Sequence, residues 1–212
     1  PPPPPTQPAP RSPTPRPAPP HPHPKTIEPS APRGGLRECA AFHLTDASGE
    51  DAEANDAVHC AARAAVYDGR VADWPPSGPD RAGRVERWKQ WLGSPDVSCI
   101  LAEDKGRIAG FVTVRASKDP DAATDTAEMP TLYVDPPSWR RGLGSLLCRA
   151  AVERTASMGF RELTLWVVDV NRRAKAVYAA FGFEPDGATQ VDEDTTERLV
   201  ARRYRLPLPD PS

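Results

Sequence analysis

The sequence has few of the features that mark several large classes of protein. Its four cysteines, in a chain of 212 residues, form no CxxC pair and no Cys/His group with the spacing of a zinc site. This pattern favours reduced thiols in a cytosolic protein and predicts no metal. No apolar run approaches the roughly 18 residues that a membrane-spanning helix needs, so we expect no membrane partner.

The chain also lacks an excess of positive charge. Lys and Arg number 27 against 29 Asp and Glu, which gives a net charge of −2. The first 33 residues carry +3, so the remainder is clearly acidic, which argues against a nucleic-acid partner. Acidic clusters at 119–128 and 192–197 suggest a cationic partner, and a solvated acidic surface is the alternative.

Proline is abundant but unevenly placed. Of 28 prolines, 16 lie in the first 33 residues. Such a segment buries too little apolar surface to offset its ordering entropy. We therefore predict a proline-rich disordered tail over 1–34, a folded domain over 35–206, and a short C-terminal tail over 207–212.

Hydrophobic periodicity predicts a mixed α/β domain. Predicted helices cover 50–67, 81–92, 142–160 and 171–183, and predicted strands cover 36–44, 98–104, 107–116, 127–135, 161–170 and 198–206. Pro130 removes a ladder donor and so predicts an edge or a bulge in its strand. The strand–helix–strand unit over 127–170 predicts a right-handed crossover and a parallel strand pair.

The stretch 140-RRGLGSLL-147 combines cations and glycines at the start of a predicted helix. A dinucleotide fingerprint would need a third glycine where Leu147 stands, and the GK[ST] of a P-loop is absent. A third interpretation is a glycine turn whose free backbone N–H groups bind a pyrophosphate, with Arg140 and Arg141 as cations. The alternative is a plain loop with solvent-facing arginines.

The run LYVDPPSWRRGLGSLL, followed by LTLWVVDVNRRAKAVYAAFGFEP, resembles the GNAT N-acetyltransferase superfamily. The N-terminal half, with RAAVYDG, RWKQWL and AGFVTV, resembles its small-molecule branch, so the resemblance spans 35–206. It implies a mixed, mostly antiparallel central sheet flanked by helices and splayed between parallel strands at 127–135 and 161–169. Acetyl-CoA would lie in that gap. Trp139 departs from the family pattern, which has Gln or Arg there; packing is its expected role.

The resemblance also implies roles for individual residues. Val134 would offer its backbone N–H to the thioester oxygen, and Tyr178 would act as the acid near the sulfur. Asn171 would contact the pantetheine arm, and a helix cap is the alternative. The full set of implied cofactor contacts is Leu132, Tyr133, Val134, Arg140, Arg141, Gly142, Leu143, Gly144, Ser145, Asn171, Ala174 and Tyr178.

Transfer of an acetyl group to an amine also needs a group that takes the ammonium proton. Glu128 is the predicted base, because strict strand alternation would put it on the same face as Leu132 and Val134. A surface acid at the end of the sheet is the alternative, with Asp119, Asp125 and Tyr133 as weaker candidates. Core packing is expected for Trp88, Trp91, Trp166, Cys99 and Cys148.

The predicted function is therefore direct transfer of acetyl from acetyl-CoA to a primary amine of a small molecule in a ternary complex. A cationic acceptor is one option, and either a monomer or a homodimer is compatible with the sequence. The alternatives are a protein or peptide N-acetyltransferase and a non-catalytic acyl-CoA-binding module.

Overall fold

The computed structural model describes residues 42–67, 81–191 and 199–209 of the chain. Within these ranges it contains seven strands and four α-helices. The strands are β1 His43–Asp46, β2 Val97–Asp104, β3 Arg107–Ala116, β4 Thr126–Val134, β5 Glu162–Val168, β6 Glu184–Val191 and β7 Val200–Pro207. The helices are α1 Ala52–Tyr67, α2 Arg81–Leu92, α3 Leu143–Ser157 and α4 Arg172–Ala180, and short 3-10 turns occupy Gly49–Asp51 and Pro136–Ser138.

All seven strands form one mixed sheet, in the order β1-β2-β3-β4-β5-β7-β6. Every neighbouring pair is antiparallel except β4 and β5, which are parallel and are joined through α3. The predicted fold class is thereby confirmed. Among the described helices, none has the length and apolar character required to cross a membrane.

The structure differs from the predicted elements at two places. The first strand runs over His43–Asp46 rather than 36–44, and residues 36–41 lie outside the described part of the chain. Strand β6 was not predicted at all. It is an edge strand that is exposed along nearly its whole length, and it contains Pro185 and a positive-φ Gly187, so it carries no hydrophobic alternation.

A bulge in β4 confirms the interpretation of Pro130. Between the pairs Thr113–Thr131 and Arg115–Glu128, two residues of β4 lie opposite one residue of β3. The proline stands in this bulge, where its missing N–H disrupts no regular ladder. The bulge bends β4. It also places the side chains before Pro130 on the opposite face of the sheet from the one that strict alternation would give them.

Helices cover both faces of the sheet. The larger core lies under α3 and α4 and includes Leu143 and Leu147, while a second core under α1 and α2 is built around Phe111 and Trp88. The packing of Trp88 confirms its expected role. Helix α3 approaches the sheet closely at Gly110, where an added Cβ would lie 3.0 Å from a methyl of Leu147 and 3.4 Å from a methyl of Leu143. The glycine therefore permits this helix–sheet contact.

Candidate active site

A cleft divides the sheet where β4 and β5 separate. The two strands pair only between Thr126–Glu128 and 162–164, and beyond the bulge they diverge. The resulting cleft has a volume of about 970 Å³. It lies at the carboxyl ends of both strands, beside the start of α3, and its walls include residues from α1, α3, α4, β6 and β7. This is the splayed sheet that the resemblance implies.

The backbone of β4 presents unpaired groups to the cleft. Asp135 donates its N–H to Ala109 of the neighbouring strand at 2.8 Å. Because hydrogen-bonding direction alternates along a strand, the backbone groups of Leu132 and Val134 point away from β3 and toward the cleft. The Val134 carbonyl accepts a 2.8 Å hydrogen bond from the indole Nε1 of Trp139. The N–H of Val134 thus remains directed at the cleft, and Trp139 has the packing role expected of it.

The start of α3 forms a cluster of free amides. Gly142 caps the helix with a φ of 81°, a left-handed conformation that favours glycine. The first intrahelical bond runs from the N–H of Leu146 to the Gly142 carbonyl at 3.0 Å. The amides of Leu143, Gly144 and Ser145 therefore have no partner within the helix. All three residues line the cleft, where this end of the helix dipole favours an anion.

The two arginines before this helix point in different directions. Arg140 lines the cleft and adopts a φ of 63°, which is unusual for a residue with a side chain. Arg141 instead pairs with Asp104 at 2.5 Å and lies over the ring of Phe42. It does not line the cleft, so its predicted place among the cofactor contacts is not supported by this geometry. Arg173, which the sequence did not single out, lies in the cleft wall.

Helix α4 supplies the opposite wall. The Asn171 side-chain oxygen accepts a 3.1 Å hydrogen bond from the N–H of Ala174, so the helix cap is shown, and both residues line the cleft. Tyr178 also lines the cleft and is 7 % exposed. Its hydroxyl has no hydrogen-bond partner among the described residues. Burial raises the pKa of Tyr178 well above its ordinary value, so the hydroxyl stays protonated and can donate.

Glu128 does not occupy the place that alternation predicted. Arg115 binds its Oε1, and Oε2 lies 3.5 Å from the Lys118 backbone N–H. Glu128 pairs with Arg115, and Thr131 pairs with Thr113, with 2.7 Å between the two threonine hydroxyls. Because Arg115 and Thr113 lie on the same face of β3, Glu128 lies on the same face of the sheet as Thr131, which is the α1 face. The expectation that it shares a face with Leu132 and Val134 is wrong, since the bulge shifts the alternation by one residue. Glu128 does not line the cleft.

The model of the acetyltransferase (GNAT) family matches residues 63–183, more than half of the chain. The chain belongs to the GNAT acetyltransferase family. It is 35% identical over 108 residues to the mycothiol acetyltransferase of Acidimicrobium ferrooxidans, a match that covers 51% of this chain and 31% of that protein. The chain spans about a third to a half of the length of the curated relatives it matches.

Solved structures share the fold of this GNAT chain. An N-acetyltransferase from Staphylococcus aureus Mu50 superposes with a TM-score of 0.65 at 19% identity, over 80% of this chain and 99% of that chain. The PaiA N-acetyltransferase from Thermoplasma acidophilum, in complex with coenzyme A, gives a TM-score of 0.55 at 17% identity over 76% and 98%. At these identities the likeness establishes the GNAT architecture.

Trp166 of the GNAT sheet is not the core residue that the sequence predicted. It is half-buried and lines the cleft on the α1 face, and its indole N–H donates to Asp119 at 3.1 Å. Asp119 in turn binds Arg203, a nearly buried arginine that also pairs with Asp121 and Asp186. Sequence reasoning missed this placement because it depends on where β4 separates from β5, which hydrophobic periodicity does not show.

Three side chains of α1 place possible metal-ligand atoms close together in this GNAT domain. Asp56, His59 and Cys60 stand at i, i+3 and i+4 on the helix, with these atoms within 4.8 Å of one another. Both Asp56 oxygens already accept hydrogen bonds from Arg84, at 3.0 and 3.3 Å. This ion pair ties α1 to α2, and we assign Asp56 to that contact.

Proposed function

We propose that this GNAT domain transfers the acetyl group of acetyl-CoA directly to the primary amine of a small molecule, with both substrates bound together. The observation that carries the proposal is the cleft itself. It combines an unpaired strand edge, the free amides at the start of α3 and a protonated Tyr178 hydroxyl. The described cleft wall contains Ser, Thr and Tyr hydroxyls but no Cys or Lys nucleophile and no His, Asp or Glu to activate a hydroxyl, which fits direct attack by the acceptor.

The residues of the cleft suit the two chemically distinct parts of coenzyme A. The amides of Leu143, Gly144 and Ser145, with Arg140 beside them, suit a pyrophosphate, and no Asp or Glu is present among the described residues of the wall. The backbone groups of Leu132 and Val134 suit the amide groups of a pantetheine arm lying along β4 like an added strand. The further residues that would hold the cofactor are Tyr133, Gly142, Asn171, Ala174 and Tyr178.

Two groups of the chain are placed to assist the transfer. Acetyl-CoA, when bound, supplies a thioester whose carbonyl carbon an amine can attack. The Val134 N–H can donate to the oxygen of that carbonyl as negative charge develops there. The Tyr178 hydroxyl can donate a hydrogen bond to the departing sulfur. Because its pKa is raised, we assign Tyr178 to stabilising the thiolate by this bond more than to protonating it fully.

The proton of the acceptor's ammonium needs a separate route. Glu128 stays a prediction as the base, but its contacts with Arg115 and the Lys118 backbone support a role in holding the bulge instead. We propose that the acceptor loses its proton to water in the cleft. In that case kcat/KM should rise with pH up to the pKa of the amine, and Glu128→Gln should keep this profile. If kcat/KM of Glu128→Gln no longer depends on pH, the Glu128 carboxylate is the base.

The test uses calorimetry of acetyl-CoA binding, followed by thiol release across a panel of small amines. Gly144→Asp would place a carboxylate at the free amides and should abolish detectable acetyl-CoA binding. Gly144→Ala is the matched control, because its Cβ would meet Val177 at an ordinary 3.9 Å. Wild-type protein that fails to bind acetyl-CoA would refute the proposal. If acetyl-CoA binds but none of the amines causes release of thiol, the small-molecule activity is refuted and the assignment of the cofactor site stands.

A further inference from the structure

The cleft opens to both faces of the sheet, and the proposed cofactor site occupies mainly one of them. Leu132, Val134 and Tyr178 belong to the core on the α3/α4 face. The α1 face of the cleft has a different wall, in which polar and aromatic side chains stand beside the apolar Val66, Val168 and Ala201. Its members include Arg63, Thr131, Tyr133, Trp166 and Gln190. An acceptor that approaches from the side opposite α3 and α4 meets these residues first.

The charges along this cleft are of one sign. Arginines at positions 63, 140 and 173 line it, and neither Asp nor Glu occurs among the described lining residues. The nearby acids are held in ion pairs: Glu128 binds Arg115, and Asp119 binds Arg203. A cationic acceptor would therefore find no carboxylate in the described wall. The acidic cluster at 192–197 lies outside the described residues, so the cationic partner drawn from the acidic clusters stays a prediction.

The three arginines divide between the phosphate side and the α1 side of the cleft. Arg140 adjoins the free amides of α3, and Arg173 stacks on Trp139 with its guanidinium carbon 3.9 Å from the ring centre. Both lie beside the proposed phosphate site. Arg63 comes from α1 instead, one turn before Val66, which belongs with Trp166 to the cluster around Val168 and Ala201. Among the described residues, Arg63 is the positively charged side chain on the α1 side of the cleft.

Arg63 has the properties of an anion-binding residue. It is only 8 % exposed, although it lines an open cleft. At such a site water competes weakly, so a charge-assisted hydrogen bond is strong. The guanidinium has five N–H donors in a planar fork, so it can bind an acceptor anion in addition to any protein partner. The shape of that fork matches a carboxylate.

We propose that the amine acceptor carries a carboxylate, which binds Arg63 while the aromatic rings of Tyr133 and Trp166 flank its carbon skeleton. The acceptor is then an amino acid or a similar small aminocarboxylate. This inference rests on the proposed acetyl transfer, whose acceptor it specifies. Arg63 binds the substrate in this scheme and takes no part in the transfer of protons.

The test compares α-, β- and γ-amino acids with their carboxamides, which keep the amine but lose the negative charge. Wild-type protein should acetylate at least one acid with a kcat/KM at least tenfold above that of its amide, mainly through KM. Arg63→Met should reduce this ratio at least tenfold, and Arg63→Lys should give an intermediate ratio. Arg81→Met is the control, because Arg81 is exposed on α2 and pairs with Glu53.

Equal use of acids and amides by the wild-type protein, or a ratio that survives in Arg63→Met, would overturn the inference. A second measurement separates it from the proposed activity. N-acetyl amino acids and their amides are titrated by calorimetry in the presence of coenzyme A. Binding of the acids that Arg63→Met weakens at least tenfold supports the carboxylate site even where no transfer occurs. Equal or undetectable binding of acids and amides, together with no transfer, counts against it.

Discussion

Replacement of Gly110 by alanine should destabilise the protein, because this residue lets α3 lie close to the sheet. A Cβ built at Gly110 lies 2.7 Å from the Tyr133 carbonyl oxygen, 3.0 Å from a methyl of Leu147 and 3.4 Å from a methyl of Leu143. Both leucines are almost fully buried, so neither side chain has free space. Relief requires a displacement of roughly 0.7 Å between β3 and β4, if ordinary contact begins near 3.4 Å.

Overpacking of this kind costs about 1–3 kcal/mol. With a urea m-value of about 2 kcal/mol/M, the unfolding midpoint should fall by roughly 0.5–1.5 M, measured by circular dichroism. The strand that must move contains Val134, which pairs with Gly110, so the affinity for acetyl-CoA should fall as well.

The control for this experiment is the same substitution at Gly144. Its Cβ would lie 3.9 Å from Val177, and alanine favours a helix over glycine by up to about 1 kcal/mol. Gly144→Ala should therefore leave the midpoint unchanged or raise it. If the free energy of unfolding of Gly110→Ala lies within about 0.5 kcal/mol of the wild-type value, the close approach of α3 to the sheet is not what requires glycine there.

Three further predictions concern ionisable groups. Tyr178→Phe should lower kcat by a factor on the order of 10² and leave the dissociation constant of acetyl-CoA within about twofold; an unchanged kcat would remove Tyr178 from the chemistry. The hydrogen bond from Arg203 holds the pKa of Asp121 at about 2 against an ordinary 3.8, so its contribution to stability is complete above about pH 4 and is lost toward pH 2. Melting temperatures of Asp121→Asn should therefore fall less steeply than those of the wild type across that window, and parallel curves would argue against the ion pair. Burial raises the pKa of the Cys148 thiol to about 12, so iodoacetamide at pH 8 should label it only after unfolding in urea, and rapid labelling of the native protein would contradict its burial.

The sequence was most informative where local chemistry and chain order coincide. The glycine turn before α3 and the run from Asn171 to Tyr178 were predicted within a few residues of their observed elements. Pro130 correctly indicated a bulge, because the loss of an N–H donor acts locally. Strand β6 escaped prediction for the opposite reason, since an exposed edge strand needs no apolar periodicity.

Placement of side chains across the sheet could not be predicted in the same way. The bulge moved Glu128 to the other face, and Asp104 turned Arg141 away from the cleft. Arg63 and Arg173 join the cleft wall from helices far apart in the chain. Each of these placements depends on a neighbour from another element, and hydrophobic periodicity carries no information about such neighbours.

The sequence by itself determined the GNAT family, the order of most helices and strands, and the loop at which an anion can bind, because these follow from local motifs and periodicity. Only the tertiary structure decided which charges face the cleft. That depends on the separation of β4 from β5 and on the bulge that sets side-chain direction. Contacts between distant segments of the chain fix both, so the charge that the cleft presents to an acceptor depends on the fold.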